Sequence, residues 1–266
     1  MTESIPSLHQ QYLFIDECGD PNFYGKRRKP LFGNPGYQPL LMMGLMKTSN
    51  RQAIREAVLT FQKQVATDDL YASIPSLNKP KGWFLHAKDD HAEIRAKFFE
   101  LLRALPGFSV QVVLGRKSPT RFSQKHNSNP AEFYFDLLHH LLRGQMLNAG
   151  QTYNIYLAQR DRKNMDRFQL AIDKALQHDN THRKQPQQIR YNKYVVLGSE
   201  YPELSVVDYC LWALQRYIHH NEVRFFRALQ SKYNFIMDLY DGSGRVYSPD
   251  DPFDLNKAAL FEKPLL

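Results

Sequence analysis

Cysteine is scarce. Two thiols, Cys18 and Cys210, occur in 266 residues, too few for a disulfide scaffold or a cysteine-built zinc cage. Long apolar runs are missing as well; none approaches the ~20 residues that cross a bilayer. The opening MTESIPSLHQQ has neither the basic start nor the apolar stretch of a secretory signal. These absences lead us to expect a reduced, cytoplasmic protein with no membrane partner. Internal repeats and low-complexity segments are lacking, and with 42% hydrophobic residues a disordered chain is excluded. Acidic charge is in the minority: 35 Lys and Arg against 27 Asp and Glu leave a net charge of +8. That surplus favours a polyanionic partner, nucleic acid foremost, because basic side chains displace counterions from phosphates.

What is present reads as one α/β domain with insertions over residues 1–240 and an irregular tail over 241–266. A first strand, YLFIDECGD, is followed by a loop rich in Gly and Pro that carries Lys26, Arg27, Arg28 and Lys29, and then by a second apolar strand, LLMMGLM. A loop of this length that joins two paired strands is often functional. Helices are expected over Arg51–Ala66, His91–Ala104, Asn129 to about Leu147, Asn164–Gln177, Glu203 to about His220, and Glu222–Phe235. Asn129 and Pro130 form a capped helix start. Strands are expected at Phe108–Gly115, Thr152–Asp161 and Ile189–Leu197, from their β-branched and alternating content. Strands interleaved with helices point to a mixed sheet covered by helices.

The first strand ends on Asp16 and Glu17, where a strand built only for packing gains nothing from carboxylates. The strand TYNIYLAQRD ends on Asp161 in the same way, and Asp208 lies at the margin of the apolar stripe Leu204, Val207, Leu211, Leu214, Ile218. A helix docked on the sheet can bring these acids together. Converging carboxylates repel unless a cation sits between them, and magnesium or manganese accepts such an oxygen shell. Ions held there can activate water for phosphodiester hydrolysis. Taken singly, each aspartate has a plainer reading, as a turn residue bonded to nearby backbone or as the partner of an arginine. Only their meeting separates the two.

Read together, FIDECGD, the isolated LHAKDD, a strand ending QRDR, and SEYPELSVVDYCLWALQR resemble the bacterial family called domain of unknown function 3800, over roughly Tyr12 to Phe235. Its members resemble the ribonuclease H-like nucleases in fold and share an opening Asp-Glu-Ser-Gly, a later Asp-x-Arg or Asp-Arg, and a closing Leu-Ala-Asp. The resemblance implies a ribonuclease H-like mixed β-sheet flanked by helices, with inserted and C-terminal helices, and a nuclease activity. Position by position, Asp16 and Glu17 match the opening acids, Asp161 the strand acid, Asp208 the acid on the late helix, and His86 the histidine of the central motif. Cys18 stands where serine is usual and Val207 where alanine is usual. Neither change removes a carboxylate.

Lesser candidates follow. Glu17 shares the Asp16 face only if the strand bends, since neighbours in a strand point to opposite faces. His86 is either a proton donor, a ligand or a hydrogen-bonded core residue. Arg162 and Glu200 are candidates to orient the acids or touch phosphate. Cys18 with His86 would make a thiolate mechanism, which the neighbouring acids oppose. The pairs His139–His140 and His219–His220 suggest zinc, but helix neighbours diverge by about 100°, so neither pair is expected to chelate one ion. Lys26 to Lys29, Arg183, Lys184, Arg216, Arg224, Arg227 and Lys232 are candidate phosphate contacts, with Phe225, Phe226 and Tyr233 as candidate base-stacking rings. These aromatics would otherwise pack their helix down, and charge runs are commonly solvated faces. The rival to a metal-dependent nuclease is a non-catalytic nucleic-acid- or protein-binding module on the same fold.

Overall fold

The apolar runs become the middle of a sheet in a computed structural model that describes residues 9–34, 37–78, 82–159, 165–240 and 244–256. The strands are β1 (His9–Gly19), β2 (Leu40–Thr48), β3 (Phe108–Arg116), β4 (Gln151–Ala158), β5 (Arg190–Val196), β6 (Tyr233–Asp238) and β7 (Val246–Tyr247). They form one sheet in the order β5-β4-β1-β2-β3-β6-β7. β1, β2 and β3 pair antiparallel in sequence. β4 and β6 join parallel to β1 and β3, β5 joins parallel to β4, and β7 lies antiparallel to β6. Thus β1, β3, β4, β5 and β6 point the same way and end at one edge. The second apolar run, LLMMGLM, is buried at every residue, as a strand covered on both faces must be.

Seven α-helices cover the sheet among the described residues: α1 (Arg51–Ala66), α2 (Ala92–Ala104), α3 (Pro119–His126), α4 (Pro130–Leu142), α5 (Met165–Thr181), α6 (Leu204–His220) and α7 (Val223–Ala228). Asn50, Ser118 and Asn129 cap α1, α3 and α4 by accepting backbone N–H bonds, satisfying donors that a helix start would otherwise leave open. Two apolar layers result. Phe14, Met42, Met46, Val112 and Tyr156 face α1, α2, α6 and α7. Leu13, Ile15, Met43, Val113 and Ile155 face α3, α4 and α5. This period of two along β1 decides where its acids go: Asp16 follows Phe14, and Glu17 follows Ile15.

Three stretches depart from the sequence reading. The expected helix Glu222–Phe235 stops at Ala228; after a 3-10 turn at Gln230–Lys232 the chain becomes β6. The charges around YNFIM look helical, but pairing this apolar run with the open side of β3 satisfies both backbones. α3 forms in a stretch with no expected element, set by the cap at Ser118 and Pro119 at its first position. The tail, expected to be irregular, contributes β7 and buries Phe253 beside Tyr247, ring centroids 5.0 Å apart.

α6 lies close against β1 and β2, and the reason is Gly44. It sits opposite Asp16 in the β1–β2 ladder. A Cβ there would come within 2.9 Å of Val207 and Leu211, below any ordinary contact. The N-terminal turn of α6 is fixed by Glu203, fully buried and paired with Arg51 at 2.6 Å and Arg55 at 3.2 Å. Arg51 also lies over the rings of Phe14, Tyr156 and Tyr201, so its charge is held among aromatic faces.

Candidate active site

Asp16 and Asp208 come near each other where α6 packs on β1, near enough for the Asp208 charge to act on Asp16. Asp208 follows Val207 and precedes Leu211 by three residues, the two side chains that press on Gly44, so the helix delivers its carboxylate beside Asp16. Burial, then the Asp208 charge, then Glu17, hold the Asp16 carboxyl well above the usual range, against the pull of the Glu17 N–H on Asp16 Oδ1 at 2.9 Å. Burial pushes Asp208 up to about 6; His86 and the Ala87 N–H oppose it, while Asp90 and Asp89 add repulsion. Among the described residues, no lysine or arginine forms an ion pair with Asp16 or Asp208. Two close carboxylates of this kind have the electrostatics of a cation site.

Residues 83–90 form the other wall, zipped onto α6. Ser205 Oγ donates to the Leu85 carbonyl at 2.8 Å, the Ala87 N–H donates to Asp208 Oδ2 at 2.7 Å, and the Tyr209 hydroxyl donates to Asp90 at 2.6 Å. Asp90, 4% exposed, also accepts from the Trp83 indole and the His86 N–H, both at 2.8 Å. Arg95 closes the loop by donating to the Ala87 and Asp90 carbonyls. His86 is thereby held beside Asp208 on a rigid segment. Its Nδ1 makes no hydrogen bond and lies 3.6 Å from Asp89. Asp89 and Asp90 were missed by sequence reasoning. The signal was present in LHAKDD, where two acids follow the histidine.

The remaining candidates fall in different places. Glu17 turns to the opposite face, where it accepts from the Tyr134 hydroxyl at 3.1 Å. Asp161 and Arg162 lie outside the described residues. Glu200 is exposed in the turn between β5 and α6, whereas Glu203, three residues on, is the buried acid. Cys18 lies along the Asp16 face, and burial with Asp208, Asp16 and Glu17 pushes its thiol upward, which disfavours a thiolate there. Lys26, Arg27, Arg28 and Lys29 stand exposed on a turn with Arg27 and Arg28 at positive φ, anchored by buried Phe23 stacked on Phe122 at 3.8 Å. Arg224 and Arg227 are also exposed, but beyond the far end of α6, about 18 Å from Asp208 along the helix axis at 1.5 Å per residue. Phe225, Phe226 and Tyr233 are buried. They pack the helix down and offer no face to a base, which corrects the stacking expectation.

Divergence of helix neighbours does not keep the His139 and His140 rings from one shared group. Asp136, one turn earlier, brings the three together, with ligand atoms within 4.8 Å of one another. Even so, Arg143 donates to His140 Nδ1 at 3.1 Å, and burial lowers His140 to about 4. A neutral ring accepting at Nδ1 carries its proton on Nε2, so the nitrogen facing Asp136 has no lone pair for a metal. Asp136 itself is taken by Lys125 at 2.7 Å and His126 at 3.1 Å. Burial pulls its carboxyl up, but those two partners hold it well below the usual range. This cluster is internally satisfied.

Among the described residues no helix is long and apolar enough to cross a membrane. No family model matches the chain, and no curated protein does. The chain has an α/β fold, a mixed seven-stranded sheet flanked by helices, and solved structures similar to it include three of ribonucleases H. A chain of the PCNA:RNase HII complex from Archaeoglobus fulgidus is 11% identical, with a TM-score of 0.44 over 87% of this chain and 83% of that one. The ribonuclease H2 from Pyrococcus horikoshii is 13% identical, with a TM-score of 0.42 over 84% and 80%. A mutant form of Bst-RNase HIII is 10% identical, with a TM-score of 0.35 over 83% and 56%.

Proposed function

We propose that this chain is a nuclease that hydrolyses phosphodiester bonds in RNA or DNA with magnesium or manganese, and a remote member of the domain of unknown function 3800 family. The observation that carries this reading is the approach of Asp208 to Asp16, two carboxylates raised by burial, Asp16 further by the charges of Asp208 and Glu17 and Asp208 by those of Asp90 and Asp89. The donor set fits a hard divalent cation: carboxylate oxygens, partly covered, with no ammonium or guanidinium partner among the described residues. Asp16 and Asp208 would hold the cation, with Asp161 as a third ligand, and bound there it would lower the pKa of water and neutralise charge on the phosphate.

The chain's own groups supply the rest. Asp90 fixes residues 83–90 so that His86 stays beside Asp208, where the ring can deliver a proton to a departing oxygen. Glu17 orients β1's end through Tyr134. Arg162 and Glu200 would assist from the surroundings. The exposed turn Lys26 to Lys29, on the loop leaving β1, would hold the nucleic-acid backbone. Arg224 and Arg227 would extend that contact on the far side.

The test is a cleavage screen over single- and double-stranded RNA and DNA with magnesium, manganese or chelator, repeated with Asp16→Asn. Metal-dependent cleavage by the wild type and its loss in the variant are expected. Cleavage that survives chelator or Asp16→Asn would overturn the reading. Nucleic-acid binding without any cleavage would favour the binding module.

A further inference from the structure

Aromatic side chains of β1, β4 and β5 form a row across the sheet. Phe14, Tyr156 and Tyr194 are register partners on the face that carries Asp16. Their ring centroids lie 4.8 Å apart at both steps, and the planes differ by only 11° and 16°. That spacing is the spacing of neighbouring strands, so the rings stack along the row and stand upright on the sheet. Phe14 and Tyr156 are buried, whereas Tyr194 is 39% exposed. β5 is the outermost strand on that side, and among the described residues no second ring stacks on Tyr194. The stack therefore ends on an open aromatic face.

The surroundings hold that ring in place and give it a positive setting. Tyr191 and Val195 pack toward α5 on the far face, while Arg190, Asn192 and Tyr194 stand exposed on the near one. Asn192 donates to Asn154 Oδ1 at 3.0 Å, and Asn154 to Gln10 Oε1 at 2.6 Å, which fixes the neighbouring row. α6 rests on β1, β2 and β3, and over Tyr156 lie Arg51 and Tyr201 instead. β4, β5 and residues 9–15 of β1 contain no Asp or Glu, and β5 brings Arg190 and Lys193. Arg51 and Arg55 share the one carboxylate of Glu203, with 27% and 33% of their side chains exposed. An occupant that suits this place is flat, aromatic and attached to negative charge. An unpaired nucleobase is all three, whereas a base inside a duplex already has a neighbour on each face.

We propose that Tyr194 is the stacking platform for one unpaired base of single-stranded RNA or DNA. The base continues the Phe14–Tyr156–Tyr194 stack beyond the sheet edge, and the basic side chains around the row attract its phosphates. Tyr194 stands two strands and two residues from Asp16, on the order of 12 Å, so a strand of a few nucleotides spans both. A platform of this kind selects single strands over duplexes. Its place on the approach to cleavage rests on the nuclease reading; its stacking on a base does not.

The experiment compares, by fluorescence anisotropy in chelator, the binding of decathymidylate and of an abasic decamer with the same number of phosphates. The full-length wild type should bind decathymidylate about tenfold more tightly, as one base stacked on an aromatic ring allows. Tyr194→Ala should reduce that preference to about twofold and leave abasic binding unchanged, which also reports an intact fold. Tyr194→Phe should keep the preference, because the ring and not the hydroxyl carries it. Equal affinity of the wild type for the two decamers would overturn the proposal. So would an alanine variant that keeps the preference or weakens both decamers alike, or a phenylalanine variant that loses it. A wild-type dimer that binds the two decamers equally would give this edge to a second copy and overturn it as well. Because chelator suppresses cleavage, a base preference without nuclease activity would separate failure of the nuclease reading from failure of this one.

Discussion

Asp136 and the Asp16–Asp208 pair lie in opposite apolar layers of one sheet, and the chain surrounds them differently. Asp136 is given an ammonium and two imidazoles, and its pKa falls despite burial. Asp16 is given Asp208 and Glu17, Asp208 is given Asp90 and Asp89 against a single imidazole, and both rise. Glu203 extends the first pattern, enclosed entirely but matched by two guanidiniums. A carboxylate whose charge is answered within the protein contributes to holding elements together. One whose charge is unanswered costs stability, and it persists where something from outside the chain supplies the missing positive charge.

The sharpest way to break this contrast is Asp208→Asn. Cleavage should fall at least about 1,000-fold, equal to about 4 kcal/mol at the transition state, while the denaturant midpoint stays level or rises because repulsion is relieved. A variant that unfolds would place Asp208 with Glu203. Glu203→Gln tests the other side. It leaves Arg51 and Arg55 without their acid and should lower unfolding free energy by about 3 kcal/mol, read by urea titration, with any surviving native protein still cleaving.

The contrast also has a pH signature. Asp208 rises from 3.8 to about 6 on folding, so the native state binds more protons than the unfolded one across that window. Measured as the difference from Asp208→Asn, which cancels histidines such as His140 that titrate in the same window, chelated protein should therefore lose stability as pH rises from about 4 to 6, by about 3 kcal/mol at 1.36 kcal/mol per pKa unit. Magnesium or manganese should flatten the curve. A difference in urea midpoint between wild type and Asp208→Asn that is already flat in chelator from pH 4 to 8 would remove the physical basis of the site. The smallest expected effect belongs to the basic turn. Arg27→Ala with Arg28→Ala should weaken oligonucleotide binding several-fold and reduce the slope of log affinity against log salt by about two, with stability unchanged.

Much of this arrangement was legible in the sequence because it follows from local periods. Alternation along β1 places Phe14 with Asp16 and Ile15 with Glu17, and the opposed faces of the two acids are as the period of two requires. The 3.6-residue stripe of α6 sets Asp208 at its edge, near enough to the sheet to reach Asp16. What depends on distant partners was not legible. Nothing around Glu203 announces Arg51 and Arg55, about 150 positions away, and the tie of Asp90 to α6 comes from the distant Tyr209. β6 was hidden because its neighbours carry charges suited to a helix, and the open side of β3 decides the outcome.

Gly44 carries a consequence of its own. The spacing between the two acids is set by a hydrogen atom where every other residue has carbon, so the helix rests on bare backbone. A single methyl group there would act as a shim, lifting α6 and its aspartate off the sheet while leaving every carboxylate in the chain intact. Whatever chemistry the pair performs is thus tuned from a position with no functional group at all.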